Sequence, residues 1–139
     1  MACGPTWRVS AGLVMVAAAA TAAGNVGAAD YRGDPARGAA AFEKCVACHT
    51  VEPGKAGLPG PNLRGVVGRP AAALPGFVYS EAMADAAAEG LVWTRDSLSD
   101  FVREPADYLP GTAMNFLGIP RTRERLDIIA FLESLGREE

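Results

Sequence analysis

The chain has 139 residues, half of them hydrophobic, with 13 basic and 16 acidic side chains, a formal net charge of −3 and one histidine. That length suits one small domain. The acidic balance, with only two lysines (Lys44 and Lys55), speaks against a surface built to neutralise nucleic-acid phosphates.

Arg8 is the only charged side chain before Asp30. An apolar, alanine-rich run from Ala11 to Ala23 follows it, and the small residues Gly27, Ala28 and Ala29 precede Asp30. A positive start, an apolar centre and a small-residue site make residues 1–29 a secretory signal peptide, cut near Ala29, with export to the periplasm. The apolar run falls short of the ~20 residues of a spanning helix, so an uncleaved anchor is the weaker alternative. Residues 30–139 then form one domain of 110 residues, with a net charge of −4 once Arg8 is lost, and the mature chain has no membrane span. It contains no internal repeat.

Asp34 followed by Pro35 marks the start of a first helix. The helix runs to about Lys44, with Gly38 and Phe42 on one face. Its end leads into Cys45-Val46-Ala47-Cys48-His49, a C-x-x-C-H. Two thiols at this spacing can each add to one vinyl group of a haem, and the adjoining imidazole then faces the iron, the signature of c-type haem attachment. A structural zinc site wants four nitrogen or sulfur ligands. The chain offers only Cys3, Cys45, Cys48 and His49, and Cys3 lies in the signal segment. A thioredoxin-like dithiol would need a βαβ setting, which the following sequence lacks.

Proline and glycine break the next stretch, Val51 to Leu63, into a loop, and a second loop passes through Gly68, Arg69, Pro70, Pro75 and Gly76. Ser80 caps a short alanine-rich helix ending near Gly90. Thr94 caps another, carrying Leu98, Phe101 and Val102, which must stop by Pro105. An extended loop runs from Tyr108 to Phe116. The last helix opens near Thr122 and closes at Gly136, with Ile128, Phe131, Leu132 and Leu135 as its apolar stripe. The fold class is all-α, with short helices and long loops around one haem.

His49 supplies one axial ligand, and no second histidine exists. Methionine sulfur suits haem iron. Outside the signal segment the methionines are Met83 and Met114. Met83 falls in the alanine-rich helix, where core filler is the ordinary role of a methionine. Met114 follows Pro110-Gly-Thr in a loop stiffened by Pro110 and Pro120, so Met114 is the expected second ligand.

With these residues in place, the chain resembles the class I c-type cytochromes, the family of mitochondrial cytochrome c and its soluble periplasmic relatives. The likeness spans nearly all of Gly33 to Leu135. It rests on Gly38 and Phe42, Cys45 to Glu52, Gly60-Pro-Asn-Leu63, Gly68-Arg69, Pro75 to Ser80, Trp93, Pro110-Gly-Thr-Ala-Met114 and Glu124 to Leu132. It implies His49 and Met114 as axial ligands and thioether links at Cys45 and Cys48. It also implies a Pro61 carbonyl accepting a hydrogen bond from the proximal imidazole. Tyr79 and Trp93 would donate to a buried haem propionate, with Arg69 beside it, and Thr112 would close the distal loop. Gly38, Phe42 and Phe131 would meet where the first and last helices cross. The family's distal tyrosine is Phe101 here and its asparagine aligns with Met83, so the distal side should be drier. The family's ring of lysines is mostly missing, with Ala106, Asp107 and Ala113 in its place.

An iron closed by His49 and Met114 leaves no open site, so the expected function is one-electron transfer and not enzymatic catalysis. The expected partners are redox proteins, docking a monomer at the haem edge. That face should carry Val46, Ala47, Ala56, Leu58, Ala113, Phe116 and Leu117, with Lys44 and Lys55 on its rim. Two alternatives remain: a cytochrome subunit of a multi-protein periplasmic oxidoreductase, and a peroxidase or gas sensor with a labile Met114.

Overall fold

The computed structural model describes Met1 and residues 31–136. The expected signal peptide and its cleavage near Ala29 lie outside the described residues, apart from Met1. Five helices follow in order: α1 (Pro35–Ala41), continued by a 3₁₀ turn at Phe42–Lys44, α2 (Glu81–Ala88), α3 (Arg95–Arg103), α4 (Pro105–Tyr108) and α5 (Thr122–Leu135). Long loops join them. Among the described residues the only strand-like pairing is one bridge between Pro70 and Val92.

The helix starts are set by local chemistry. Asp34 accepts hydrogen bonds from the backbone N–H groups of Ala36 (2.9 Å) and Arg37 (3.0 Å), and Pro35 occupies the first turn. Ser80 accepts from Met83 N–H at the start of α2. Thr94 and Ser97 form a reciprocal capping box on α3. Each such cap contributes about 1 kcal/mol. Pro105 ends α3, as expected, but it also opens the one-turn helix α4, which the sequence reading left out. A proline cannot continue a helix yet is suited to begin one, and Glu104 takes up the change of direction with φ −162°.

The core forms where α5 packs against α1 on one side and α3 on the other. Gly38 is buried at the first crossing, where an added Cβ would overlap the Asp127 carbonyl. The Phe42 and Phe131 rings meet there, centroids 5.4 Å apart. The stripe read from α5 is narrower than the face it buries. Ile128 and Leu132 are buried and Phe131 and Leu135 half-buried, but Ile129, Ala130, Arg125 and Asp127 are buried too. A helix wedged between two others needs more than one apolar stripe.

Candidate haem site

The C-x-x-C-H segment curls directly off the end of α1. Cys45 N–H donates to Phe42 O (2.7 Å), and the N–H groups of Cys48 (3.1 Å) and His49 (2.8 Å) both donate to Cys45 O. This turn puts both thiols and the imidazole on one compact unit. Cys45 is half-buried against the core and Cys48 is exposed, and neither is in a disulfide. Burial pushes the Cys45 thiol up to about 11, against the pull of Lys44. A reactive dithiol needs the opposite, a depressed thiol pKa.

On the proximal side, His49 Nδ1 lies 2.7 Å from Pro61 O. Burial lowers the imidazole pKa, more than the bond to Pro61 raises it, so the ring is neutral at physiological pH. A carbonyl can only accept, so Nδ1 carries the proton and Nε2 keeps the lone pair that a metal needs. Gly60 packs flat on the ring, where any Cβ would collide with it, and Gly60 N–H donates to Cys48 O (2.8 Å). Asn62 holds this strap in place by donating to Glu52 O (2.7 Å) and Lys55 O (3.0 Å). Arg64 extends the hold, donating to Val51 O (2.8 Å) and Leu135 O (2.9 Å). The sequence reading quoted Asn62 as part of a motif without a role and passed over Arg64. The signal available was a polar pair inside a Pro/Gly-rich loop that must satisfy its own carbonyls.

On the distal side, Met114 is half-buried against the core. Leu109 to Thr112 form a tight turn, closed by Thr112 N–H on Leu109 O (3.0 Å), with Pro110 and Gly111 at its corner. Thr112 Oγ1 accepts from Met114 N–H (3.3 Å), which leaves its own proton free to donate elsewhere. Phe101 and Met83 are both buried, Phe101 between Trp93 (ring centroids 5.1 Å) and Tyr108 (5.8 Å). Neither offers a hydroxyl or an amide to the interior.

The remaining predicted residues gather around the 68–79 loop. Trp93 is buried, and its backbone pairs with this loop through Trp93 N–H on Arg69 O (2.9 Å) and Gly68 N–H on Trp93 O (2.8 Å). Tyr79 Oη accepts from Leu74 N–H (3.3 Å), which leaves its proton for another acceptor. Arg69 is half-buried and donates to the carbonyls of Arg64 (3.1 Å) and Asn62 (3.0 Å). Burial lowers its pKa, and the nearby Tyr79 works the other way. A partly buried guanidinium bonded to neutral carbonyls, beside a phenol with a proton to give, suits an anionic group such as a haem propionate. Together with the thiol pair and the neutral imidazole, these residues fit a covalently bound haem.

On the expected docking face, Val46 is 46% exposed and Leu117 98%. Ala47, Ala56 and Ala113 are exposed, and Leu58 and Phe116 half-buried. Lys44 is ion-paired with Glu124, and Lys55 with Glu52 (2.9 Å).

The sequence profile of the family described as cytochrome c matches residues 35–136. The chain is 48% identical to a cytochrome c homolog of Bradyrhizobium diazoefficiens, over 72% of this chain and 53% of the relative, so it spans about half of that protein's length. It is 44% identical to cytochrome c2 of Agrobacterium tumefaciens, over 72% of this chain and 90% of that one. Its fold is similar to that of cytochrome c2 from Rhodospirillum centenum, with a TM-score of 0.71 and 37% identity over 74% of this chain and 98% of that one.

Proposed function

The chain belongs to the cytochrome c family, and from that premise we propose that it is a soluble periplasmic carrier of single electrons between redox proteins. It carries one c-type haem attached through cysteine. The cysteines are Cys45 and Cys48, and the axial ligands His49 and Met114. When bound, the haem supplies reversible one-electron Fe(II)/Fe(III) chemistry. The protein is an electron-transfer protein and not an enzyme.

The observation that carries this reading is the 2.7 Å contact of His49 Nδ1 with Pro61 O. It would fix the tautomer and the ring plane, and burial, which lowers the imidazole pKa, favours the neutral form that ligates. The chain's other residues do three kinds of work. Gly60 and Asn62 keep the proximal strap against the imidazole. Thr112 holds the Met114 backbone. Tyr79, Trp93 and Arg69 present donors for the propionates, while Phe101 and Met83 keep water from the distal wall. No helix among the described residues is long and apolar enough to cross a membrane. Export with removal of residues 1–29 would deliver the chain, as a monomer, to partners that dock at the Val46 and Leu117 face.

The test is the optical spectrum of the oxidised, haem-loaded protein. A weak far-red band from methionine sulfur to ferric haem should be present. It should vanish in Met114→Ala and survive in Met83→Ala. A wild-type protein without the band, binding carbon monoxide readily when reduced, would have an open iron and would not be a simple carrier.

A further inference from the structure

Arg125, on α5, is only 5% exposed, yet among the described residues none of its hydrogen bonds goes to a carboxylate, and Asp100 acts on it only through its charge. Its side chain donates to Ile119 O (2.8 Å), Pro120 O (2.8 Å), Thr122 Oγ1 (3.2 Å) and Ser99 Oγ (3.1 Å), all neutral acceptors. A guanidinium buried in this way is costly unless its hydrogen bonds are complete. Three of its four acceptors lie in one short stretch, residues 119–122, where the Met114 loop ends and α5 begins.

That stretch is clamped from its other side too. Ile119 N–H donates to Val102 O (2.9 Å) at the end of α3. Gly118 has φ 94° and packs so closely that a Cβ would fall on Arg103 O. Between this foot and Met114 the chain is held by Phe116, whose N–H donates to Met114 O (3.1 Å) and whose side chain packs on the core. Leu117 is almost fully exposed, and Phe116 is half-buried. Pro120 has no N–H of its own, so its carbonyl is its one backbone tie, and Arg125 takes it.

We propose that Arg125 is a positioning residue for Met114: by fixing the foot of the distal loop to α3 and α5, it sets where the methionine sulfur returns. The inference rests on Met114 being the distal ligand. Arg125 does not touch the sulfur. It acts by making the loop expensive to lift.

The experiment titrates imidazole into the ferric, haem-loaded protein, because imidazole binds only after Met114 is displaced. Wild type is compared with Arg125→Met, Arg125→Lys and Met114→Ala, and the denaturant midpoint of each is measured alongside. Arg125→Met should bind imidazole about ten- to a hundredfold more tightly than wild type, the factor that corresponds to the net worth of one hydrogen bond from a charged donor. Arg125→Lys should fall between, since an ammonium keeps a donor for the two carbonyls. If Arg125→Met does not take up haem, the Arg125→Lys comparison decides. Wild-type imidazole affinity in the Arg125 variants, with only the denaturant midpoint lowered, would make Arg125 a general structural residue and overturn the inference. In that case a far-red band present in wild type and lost in Met114→Ala would leave the ligand reading standing. If wild type lacks the band and binds imidazole as tightly as Met114→Ala, both readings fall.

Discussion

Asp127 offers the sharpest test of what holds the α1–α5 crossing together. The residue is 6% exposed, and its carboxylate gathers donors from a segment some 90 residues away in sequence. Oδ1 accepts from the Tyr31 hydroxyl and from Asp34 N–H (2.6 Å), and Oδ2 accepts from Arg37 Nε (3.1 Å). Tyr31 is held in turn by Arg37 and by the Arg123 guanidinium, 4.6 Å above its ring. Asp127→Asn keeps the shape and one acceptor oxygen but removes the charge. Hydrogen bonds to an ionised group are about twice as strong as neutral ones. The two bonds to Oδ1 therefore each weaken by about 1 kcal/mol, for a loss of about 2 kcal/mol. The Arg37 pair adds nothing to this figure, because Arg37 is largely exposed and screened. For a domain of this size the loss should lower Tm by roughly 10 °C.

The pH dependence separates this account from a packing defect. Burial alone would raise the Asp127 pKa, but the hydrogen bonds from Tyr31, Arg37 and Asp34 and the Arg37 charge together lower it below the ordinary 3.8. A depressed carboxylate stabilises the fold at pH above its unfolded value, and that stability is lost as pH falls through the folded one. Denaturant unfolding of the haem-loaded protein, followed by far-UV circular dichroism, should show the full gap between wild type and Asp127→Asn at pH 7. The gap should begin to narrow near pH 3.8 and close only as pH falls through the lower folded-state value. A gap that stays constant to pH 3, or one below about 0.5 kcal/mol at pH 7, would show that the clasp contributes little and that the reasoning is wrong.

Gly38→Ala forces a methyl into the Asp127 carbonyl and should cost about 3 kcal/mol by chemical denaturation; an unchanged midpoint would mean the helices can part freely. Because Lys44 and Lys55 are paired with Glu124 and Glu52, electron transfer to a redox partner should vary little with ionic strength. A steep decline on adding salt would show a steering charge elsewhere on the face. Mass spectrometry of the exported protein should find a mature chain beginning at or within a few residues of Asp30, whereas a full-length mass would make residues 1–29 an anchor.

What could be read from the sequence was whatever depends on neighbours in the chain. Asp34, Ser80 and Thr94 cap helices because a short side chain satisfies N–H groups two or three residues on. The C-x-x-C-H turn, the Pro110–Gly111 corner and the break at Pro105 are local in the same way. The rest depends on partners that spacing does not reveal. Helix α4 escaped because one proline serves two helices. Asp127 was visible as a residue of the last helix, but nothing near it in sequence announces Tyr31 and Arg37. Arg125 was equally visible, and nothing marked it as buried, since a charged residue is normally assigned to the surface. Thr112 was read only through the family likeness, as a group reaching for a propionate. Its bond to Met114 N–H, two residues on, is as local as the helix caps and could have been read the same way.

The long-range arginines follow a common logic. Arg64 ties the proximal loop, through Val51 O, to the last turn of α5 at Leu135 O. Arg125 ties the distal loop, through Ile119 O and Pro120 O, to the first turns of the same helix. The loops bearing His49's support and Met114 therefore hang from opposite ends of α5. The helix in turn is locked to α1 by Gly38 and Asp127. A carrier that changes oxidation state without rearranging its ligands needs both loops held against one rigid body. Here that body is a helix crossing rather than a sheet, and Arg64 and Arg125 are turned inward to hang the loops from it. The Val46 and Leu117 face carries apolar side chains and two lysines paired with Glu124 and Glu52. On the proposed reading, the inward arginines would keep the axial ligands stiff, and the paired lysines would keep the docking face weakly charged.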